Sequence, residues 1–345
     1  MTTTEERTAR GSDYAELSRQ VRQAGLLDRR PGYYAAKIAV NTVLLAAGWW
    51  AFVVVGDSWY QIAIATYLAV IFTQVAFVGH DAGHRQIFRS RRANQLAGLL
   101  HGNLLIGMSY GWWVGKHNRH HAHPNDEDRD PDIGAGALVF TADQARTRRG
   151  LARVLTRNQA YLFFPMLLLE AANLHVASVR TLLGRGARSL RSLETLLLAV
   201  HAAGYLAAVL LVLGPVKAVV FIAVQQGLFG LYLGCSFAPN HKGMPVLDER
   251  TKRDYLRRQV LTSRNVRGGR IVGFVLGGLN YQIEHHLFPS MPRPSLRRSQ
   301  ALVRDFCLQH GLPYSEATLV RSYTEVLQHL HAVAEPLRPA TTDAR

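Results

Sequence analysis

Cysteine is scarce in this chain. The 345 residues include 2 cysteines, and Cys235 and Cys307 stand far apart, at a spacing that matches no metal or redox motif. The sequence therefore predicts no disulfide framework and assigns both cysteines to packing. The first residues also lack a basic stretch followed by an apolar one, so we expect no secretory signal and expect membrane insertion to depend on internal segments.

Acidic residues are also in the minority. The chain has 24 Asp and Glu against 40 Lys and Arg, for a formal net charge of +16. A balance this basic is typical of nucleic-acid-binding proteins, but the distribution of the apolar residues argues against that class. They form blocks of about 20 residues with almost no charge, the length that a bilayer core of about 30 Å requires of a helix. The sequence predicts an integral membrane protein.

The apolar blocks come in two pairs. The turns between the paired blocks, at 56–58 and 214–217, are so short that each pair is expected to form a hairpin. The stretches 93–108 and 159–178 are too short or too interrupted to span, and we expect them to lie in the membrane interface. The predicted fold is an all-α integral membrane protein: two hairpins, interfacial helices and a cytoplasmic helical cap. The four transmembrane helices are expected at about 38–55, 59–79, 195–213 and 218–235.

The positions of the basic residues predict the orientation. The two short turns contain a single basic residue, Lys217, and the other lysines and arginines lie elsewhere. The positive-inside rule then places both termini and the long central segment in the cytoplasm, where the basic residues meet anionic lipid headgroups and need no nucleic acid. Most of the basic residues are arginine, typical of a GC-rich bacterial genome, so we expect a bacterial plasma membrane. The predicted organisation is a cytoplasmic segment 1–33, a membrane domain 34–310 and a cytoplasmic segment 311–345.

The chain has 15 histidines, a high number for its length. Three motifs contain seven of them: HDAGH at 80–84, HNRHH at 117–121 and QIEHH at 282–286. Spacings of three and four residues place imidazoles on one face of a helix, and His241 follows just beyond the fourth predicted membrane helix. The predicted topology brings all of these groups to the same membrane face. These eight histidines are His80, His84, His117, His120, His121, His241, His285 and His286.

Eight imidazoles exceed what one metal ion can bind. Imidazole suits zinc, copper, iron and nickel, and a structural zinc is satisfied by four ligands. Two metal ions with four or five ligands each would use all eight and keep positions open for oxygen species. A site against apolar helices suits a hydrocarbon substrate. Attack on an unactivated C–H bond needs an oxygen-derived metal oxidant, which iron supplies and redox-inactive zinc does not.

In this order around two hairpins, the three motifs resemble the histidine boxes of the membrane fatty acid desaturase family. Trp112-Trp113, residues 117–125, the stretch Asp130-Pro131-Asp132 and residues 280–282 strengthen the resemblance, which covers about 34–310. Glutamine at the start of the third box resembles front-end and related acyl-lipid or acyl-CoA desaturases more than the stearoyl type. The resemblance implies a di-iron centre that consumes molecular oxygen and two electrons and introduces a double bond into a fatty acyl chain.

The resemblance also implies roles for individual residues. Gln282 is a further candidate iron ligand, although an amide is a weak ligand and can instead orient a water. Asp81, His123, Asp130 and Glu284 are candidates to orient the ligand imidazoles through their second ring nitrogen. No catalytic residue separate from the metal ligands is expected. The implied iron ligands are His80, His84, His117, His120, His121, His241, His285 and His286.

The electrons must come from a partner. Many front-end desaturases carry a fused haem domain, and the predicted segment 1–33 is too short for one, so the resemblance implies a separate ferredoxin or flavin reductase. An arginine-rich face suits an acidic ferredoxin because complementary charge speeds encounter. Anchoring to lipid headgroups explains the same arginines equally well. The other expected partners are the lipid bilayer and the fatty acyl substrate.

Two other functions stay open at this point. A membrane di-iron hydroxylase of alkyl or lipid substrates could use the same metal site, because hydroxylation and desaturation diverge only after the first hydrogen abstraction. A non-enzymatic membrane haem or metal carrier is more remote, because such proteins place their ligands within the membrane span. His175 and His201 are expected to pack among apolar residues, and His310, His329 and His331 to be solvated.

Overall fold

The computed structural model describes residues 12–184 and 190–338, which are mostly helical. Residues 1–11 and 339–345 of the two predicted terminal segments lie outside the described residues. The helices in chain order are α1 Asp13–Gln23, α2 Pro31–Val55, α3 Gln61–Gly83, α4 Arg91–Leu99, α5 Tyr110–Ala122, α6 Ala142–Arg146, α7 Gly150–Arg157, α8 Gln159–Leu167, α9 Glu170–Leu183, α10 Arg191–Val212, α11 Pro215–His241, α12 Glu249–Arg253, α13 Tyr255–Leu261, α14 Gly269–Val275, α15 Gln282–Leu287, α16 Arg293–Gln309 and α17 Leu319–Val333.

Four of the described helices, α2, α3, α10 and α11, are long and apolar enough to cross a membrane. This confirms the predicted class, a helical protein with four candidate membrane spans. Each helix overlaps a predicted block, and α3 and α11 continue to Gly83 and His241, beyond the apolar residues. At about 1.5 Å per residue, the 23 residues of α3 extend about 34 Å, enough to cross a bilayer core of about 30 Å.

The two short turns contact each other. Residues 56–60 join α2 to α3, and residues 213–214 join α10 to α11. Lys217 Nζ lies 2.9 Å from Asp57 Oδ2, and the backbone N–H of Gly214 donates to Asp57 Oδ1 at 3.0 Å. Both α3 and α11 begin at these turns. The C-terminal ends of the two helices therefore meet at the opposite end of the bundle.

Aromatic residues fill the space between the long helices. The rings of Phe52 in α2 and Phe221 in α11 lie 4.9 Å apart, and those of Phe72 in α3 and Phe229 in α11 lie 5.7 Å apart at nearly right angles. All four side chains are buried. Phe221 thus packs α11 against α2, and Phe229 packs it against α3, by the van der Waals contact that associates helices in a bilayer.

The shorter apolar stretches form broken helices. A π-helical segment, Leu100–Leu105, follows α4. Helices α8 and α9 meet at an angle of 71°, and together they have the length and composition of one further span, either broken or re-entrant. Pro165 lies inside α8, where it removes a backbone donor. The interfacial position of both stretches stays a prediction.

A second apolar cluster lies beyond the ends of α3 and α11. It joins α1 to α13, α15 and α16 through Leu17, Val260, Leu287 and Phe306. Two three-residue strands, β1 Asn265–Arg267 and β2 Glu316–Thr318, pair in parallel with Asn265 opposite Glu316. The sequence predicted helices alone in this region. Positive φ angles at Gly268 and Gly269 end the first strand before α14 begins.

Candidate metal centre

The first histidine motif lies at the end of α3. His80 belongs to the last helical turn, and His84 is the residue that caps the helix. Because the two residues are four apart, their rings face the same side, with 4.7 Å between ring centroids. Both side chains are buried. The candidate span α3 therefore brings two imidazoles to its C-terminal end.

The second motif lies on α5, whose N-terminus is held by a buried carboxylate. Ser109 caps the helix by accepting from the N–H of Trp112, and it donates its hydroxyl to Glu194 Oε2 at 2.5 Å. The same oxygen accepts from the backbone N–H of Gly111 at 3.1 Å. A negative charge at a helix N-terminus is favourable. Glu194 was not singled out from the sequence, because a lone glutamate at position 194 carries no motif.

The third motif forms α15, which is buried along its whole length. Asn265 in β1 fixes the start of this helix: its Oδ1 accepts from the N–H of Ile283 at 2.9 Å. His285 and His286 are both fully buried. His241, the last residue of α11, lies opposite this helix, and its ring centroid is 4.5 Å from that of His286.

Among the described residues, histidine nitrogens form two groups whose members lie within 4.8 Å of one another. We call the first the α3 group: it consists of His80, His84, His117 and His285. We call the second the α11 group: it consists of His120, His241 and His286. His121 lies between them, since its Nε2 is 3.1 Å from His117 Nε2 and its ring stacks on His286 at 4.1 Å.

The histidine nitrogens fit metal ions. Facing nitrogens of His120 and His241 are 3.2 Å apart, and metal–nitrogen bonds of about 2.0–2.1 Å place neighbouring ligand nitrogens about 3 Å apart. Buried polar atoms normally have a partner, yet several buried ring nitrogens make no hydrogen bond among the described residues. These nitrogens are His80 Nε2, His84 Nε2, His121 Nδ1, both ring nitrogens of His285, and His286 Nε2.

The protonation state of the imidazoles is also suited to metals. Burial, followed by the charges of neighbouring imidazoles, holds the pKa of several of them well below the usual value for histidine. A neutral imidazole is the form that binds a metal ion. The histidines with this strong shift outside the membrane-spanning segments are His84, His117, His121, His285 and His286.

Each histidine of the α11 group has a partner for its other nitrogen. His120 Nδ1 lies 3.0 Å from Asp130 Oδ2. His241 Nδ1 donates to the carbonyl of Thr262 at 2.9 Å, and His286 Nδ1 lies 2.9 Å from Gln259 Oε1. Such partners fix the tautomer and the ring orientation of a ligand. Of these three partners, the sequence indicated only Asp130, because Gln259 and Thr262 belong to no motif.

The α3 group is held mainly by packing. The indole of Trp113 stacks on His117 with 4.5 Å between ring centroids and lies 5.4 Å from the ring of His80. His80 Nδ1 is 3.3 Å from Asp81 Oδ1. The other oxygen of Asp81 is paired with Arg293 at 2.7 Å. Arg293, which the sequence did not indicate, thus compensates a buried carboxylate beside the α3 group.

Three other candidates occupy different positions. Gln282 Nε2 lies 2.8 Å from His241 Nε2, so this amide faces the α11 group. Glu284 faces away from the two groups and accepts from Asn265 Nδ2 at 2.8 Å and from the Tyr314 hydroxyl. Burial raises the pKa of Glu284 to about 7. His123 caps the end of α5 with its backbone N–H and is half-buried.

The remaining histidines lie apart from the two groups. His175 Nδ1 is 2.7 Å from the carbonyl of Gly107, and His201 Nδ1 is 2.8 Å from that of Leu104. These two contacts link α9 and α10 to the backbone in and next to the π-helical segment. His331 is exposed on α17, as predicted. The prediction that His329 is solvated is wrong, because His329 is half-buried and its Nε2 lies 3.1 Å from the carbonyl of Phe140.

A cavity of about 490 Å³ extends along one side of the two histidine groups. This is within the usual range for small-molecule sites. His80, His117, His120 and His241 form part of one wall. The rest of the lining is mostly apolar and includes Trp112, Phe163, Leu167, Leu174, Leu233 and Phe237.

These features define a class of protein: a helical protein with candidate membrane spans and, at the ends of two of them, buried histidines that could hold metal ions beside an apolar cavity. Within that class, a sequence model of the fatty acid desaturase family matches residues 57–318. The chain belongs to the fatty acid desaturase family. The resemblance drawn from the three histidine motifs is thereby confirmed.

Curated relatives come from several kingdoms. An acyl-lipid (9-3)-desaturase of the moss Physcomitrium patens is 30% identical over 94% of this chain and 63% of that protein. A Delta(5) fatty acid desaturase of Caenorhabditis elegans is 31% identical over 90% of this chain and 71% of the relative. A Delta(8)-fatty-acid desaturase of Helianthus annuus is 26% identical over 96% of this chain and 75% of the relative. The chain thus spans less than two thirds of the moss protein.

Proposed function

We propose that this protein is a fatty acyl desaturase, an oxidoreductase that introduces a double bond into an acyl chain carried as acyl-CoA or acyl-lipid. The observation that carries this proposal is the juxtaposition of two groups of buried imidazoles with one wall of an apolar cavity. Desaturation removes two hydrogens from adjacent carbons. Molecular oxygen takes up these hydrogens together with two external electrons and two protons, and two water molecules result.

We assign one iron ion to each histidine group. The α3 group would bind one iron and the α11 group the other, with His121 between them. Gln282, whose Nε2 lies 2.8 Å from His241 Nε2, would either bind the same iron through its amide oxygen or orient a water beside it. Bound iron supplies the activation of oxygen that an unactivated C–H bond requires. Imidazole nitrogen is a ligand that suits iron, and each of the two groups offers at least three such nitrogens within 4.8 Å of one another.

The protein itself positions the substrate and excludes water. The apolar side chains of the cavity can hold a methylene chain by van der Waals contact, while His117 and His120 face the chain from the adjacent wall. Hydrogen bonds from the imidazoles to Asp130, Thr262 and Gln259 keep three ring nitrogens directed at one point. A carbon held against this wall is thereby fixed relative to both metal positions.

Desaturation is favoured over hydroxylation by the relatives, each of which is named as a desaturase. The test is expression in a host that lacks polyunsaturated lipids, followed by mass spectrometry of its fatty acids. We expect acyl chains that are two mass units lighter than their precursors. Chains that are sixteen units heavier would instead identify a hydroxylase, and an unchanged profile would contradict both assignments.

We also propose that the metal centre faces the cytoplasm and receives electrons from a separate carrier. The turns contact each other at one end of α3 and α11, and the histidines lie at the other end, with the basic cap. A cysteine at Ser58 should react with an impermeant thiol reagent added outside, and a cysteine at Ser90 should not. The reverse labelling would overturn this orientation. The bacterial plasma membrane stays a prediction, since the relatives above come from a moss, a plant and a nematode.

A further inference from the structure

One lysine in the cavity wall has hydrogen-bond donors to spare. Lys242 follows His241 directly at the end of α11 and lines the cavity. Its Nζ donates to the carbonyl of Asp132 at 2.6 Å and lies 3.9 Å from the centre of the Phe140 ring. A lysine ammonium has three N–H donors and no acceptor. The carbonyl of Asp132 and the face of the Phe140 ring occupy only part of the hydrogen-bonding capacity of Lys242.

The other charged groups of this wall have partners within the protein. Lys116 pairs with the carboxylate of Asp132, and Glu170 accepts from Asn173 Nδ2 at 3.2 Å. Among the described residues, no carboxylate lies within ion-pair distance of Lys242 Nζ. Lys242 is therefore the charged side chain of this wall that is best able to bind an oxygen atom of a molecule in the cavity.

The chemistry of an acyl substrate supplies that oxygen at one end only. The methylene chain has no hydrogen-bond acceptor, whereas the carboxyl end has one as a free carboxylate, an ester or a thioester. A buried donor gains most from an acceptor when apolar surroundings exclude water. The carboxyl end of the chain is thus the part of an acyl substrate that matches Lys242.

The position of Lys242 gives this contact a consequence for the product. Lys242 follows His241 in the chain, and both residues line the same cavity, so an oxygen bound by Lys242 would be held in the cavity that His120 and His241 of the α11 group also line. The same lining includes Ala76, Ile106 and Leu174, which belong to or pack against the apolar core between the long helices. The carbons beside the two histidine groups would then be a fixed number of bonds from the carboxyl end.

We propose that Lys242 binds the carboxyl-end oxygen of the acyl substrate and thereby sets the position of the double bond, counted from that end. This proposal rests on the proposed desaturase function. It makes Lys242 a specificity-determining residue, and it commits the cavity to one orientation of the acyl chain, with the carboxyl end at Lys242 and the methyl end toward Ile106.

Binding can be measured without iron or turnover. Trp112 and Trp113 line the cavity, so brominated probes in the cavity quench their fluorescence. The probes are 9,10-dibromostearic acid, its methyl ester and 9,10-dibromooctadecane, titrated into the full-length purified protein. The same titrations are repeated with a Trp112→Phe, Trp113→Phe double variant. The part of the quenching that this variant lacks is the signal from the cavity. Comparison of the acid with the methyl ester shows whether the bound group is a carboxylate or an ester carbonyl.

We expect the wild-type protein to bind at least one oxygen-bearing probe roughly tenfold more tightly than the alkane. Lys242→Gln should lose this preference while its affinity for the alkane stays the same. Lys252→Gln is the matched control, because Lys252 lies outside the cavity lining and pairs with Glu249 at 2.8 Å. It should keep the preference. An unchanged preference in Lys242→Gln would overturn the proposal.

A second variant keeps the test decisive if Lys242→Gln also loses alkane binding. Lys242→Arg keeps the charge and the donors, so retained preference would support the proposal and lost preference would overturn it. In the expression host, Lys242→Gln should also spread the double bond over several positions. A wild-type protein that shows the binding preference but forms no unsaturated product would refute the desaturase function and leave the assignment of Lys242 intact.

Discussion

The two histidine groups are held in different ways. Each member of the α11 group has a hydrogen-bond partner for its second nitrogen: Asp130, Thr262 or Gln259. Among the described residues, the α3 group has one such contact, between His80 and Asp81. His84 and His117 pack against Trp113, and His285 packs against the other imidazoles of the group. Hydrogen bonds orient one set of ligands before a metal ion arrives, whereas the other set depends on packing.

This difference has a consequence for metal binding. Ligands that are already oriented lose little conformational freedom on binding, and outer hydrogen bonds raise their basicity. We therefore expect the α11 group to bind its iron more tightly than the α3 group. The α3 group has four histidines against three in the α11 group, and the extra ligand offsets part of this difference.

The largest effect should come from removing one imidazole from either group. We expect His120→Ala or His285→Ala to abolish product formation, because each group loses a ligand that no neighbour replaces. Both variants should stay inserted in the membrane, since the apolar contacts between α3 and α11 are unaffected. Fatty acid mass spectrometry and membrane fractionation measure the two properties. His331→Ala, an exposed control on α17, should keep full activity, and equal losses in all three variants would contradict the assignment.

A smaller effect on metal affinity is expected from Asp130→Asn. The amide removes the carboxylate beside His120, and loss of such a partner typically weakens metal binding by about 10–100-fold. Competition with a chelator measures the affinity. The loss should be confined to one of the two irons. Loss of both irons together would show that the two groups are not independent.

The matching change in the α3 group, Asp81→Asn, should act on stability instead. It leaves the guanidinium of Arg293 buried without its carboxylate, and breaking a buried ion pair in this way costs about 3–5 kcal/mol. A lower thermal unfolding temperature is the expected result. The double change Asp81→Asn, Arg293→Met should recover part of this loss. No recovery would mean that Asp81 acts mainly through His80.

The smallest effect is expected from Trp113→Leu. A leucine keeps the wall apolar but no longer stacks on His117, so the α3 group should release its iron severalfold faster to a chelator. The α11 group should be unaffected. Trp112→Leu changes a neighbouring tryptophan that makes no ring contact with a histidine among the described residues, and it serves as the control for iron release. Equal rates of iron release from the two variants would contradict a role for the stacking of Trp113 on His117.

The sequence predicted the spans and the histidine motifs because both depend on local patterns. Blocks without charge show where α2, α3, α10 and α11 lie, and spacings of three and four residues show which imidazoles share a helical face. Asp130 was indicated by its place near the second motif.

Other parts of the centre depend on contacts between distant segments. Gln259 and Thr262 reach the α11 group from α13 and from the residue after it, and Arg293 reaches Asp81 across more than 200 positions. No local pattern records such a contact. The division of the histidines into two groups likewise follows from tertiary structure, because His117 and His120 share one helix but belong to different groups.

The iron content of the purified protein tests the central claim most directly. Two histidine groups predict close to two iron ions per chain, measured by elemental analysis after mild solubilisation. His286→Ala should retain about one iron, bound by the α3 group, and His285→Ala should retain about one, bound by the α11 group. A wild-type protein with one zinc ion and no iron would contradict the account.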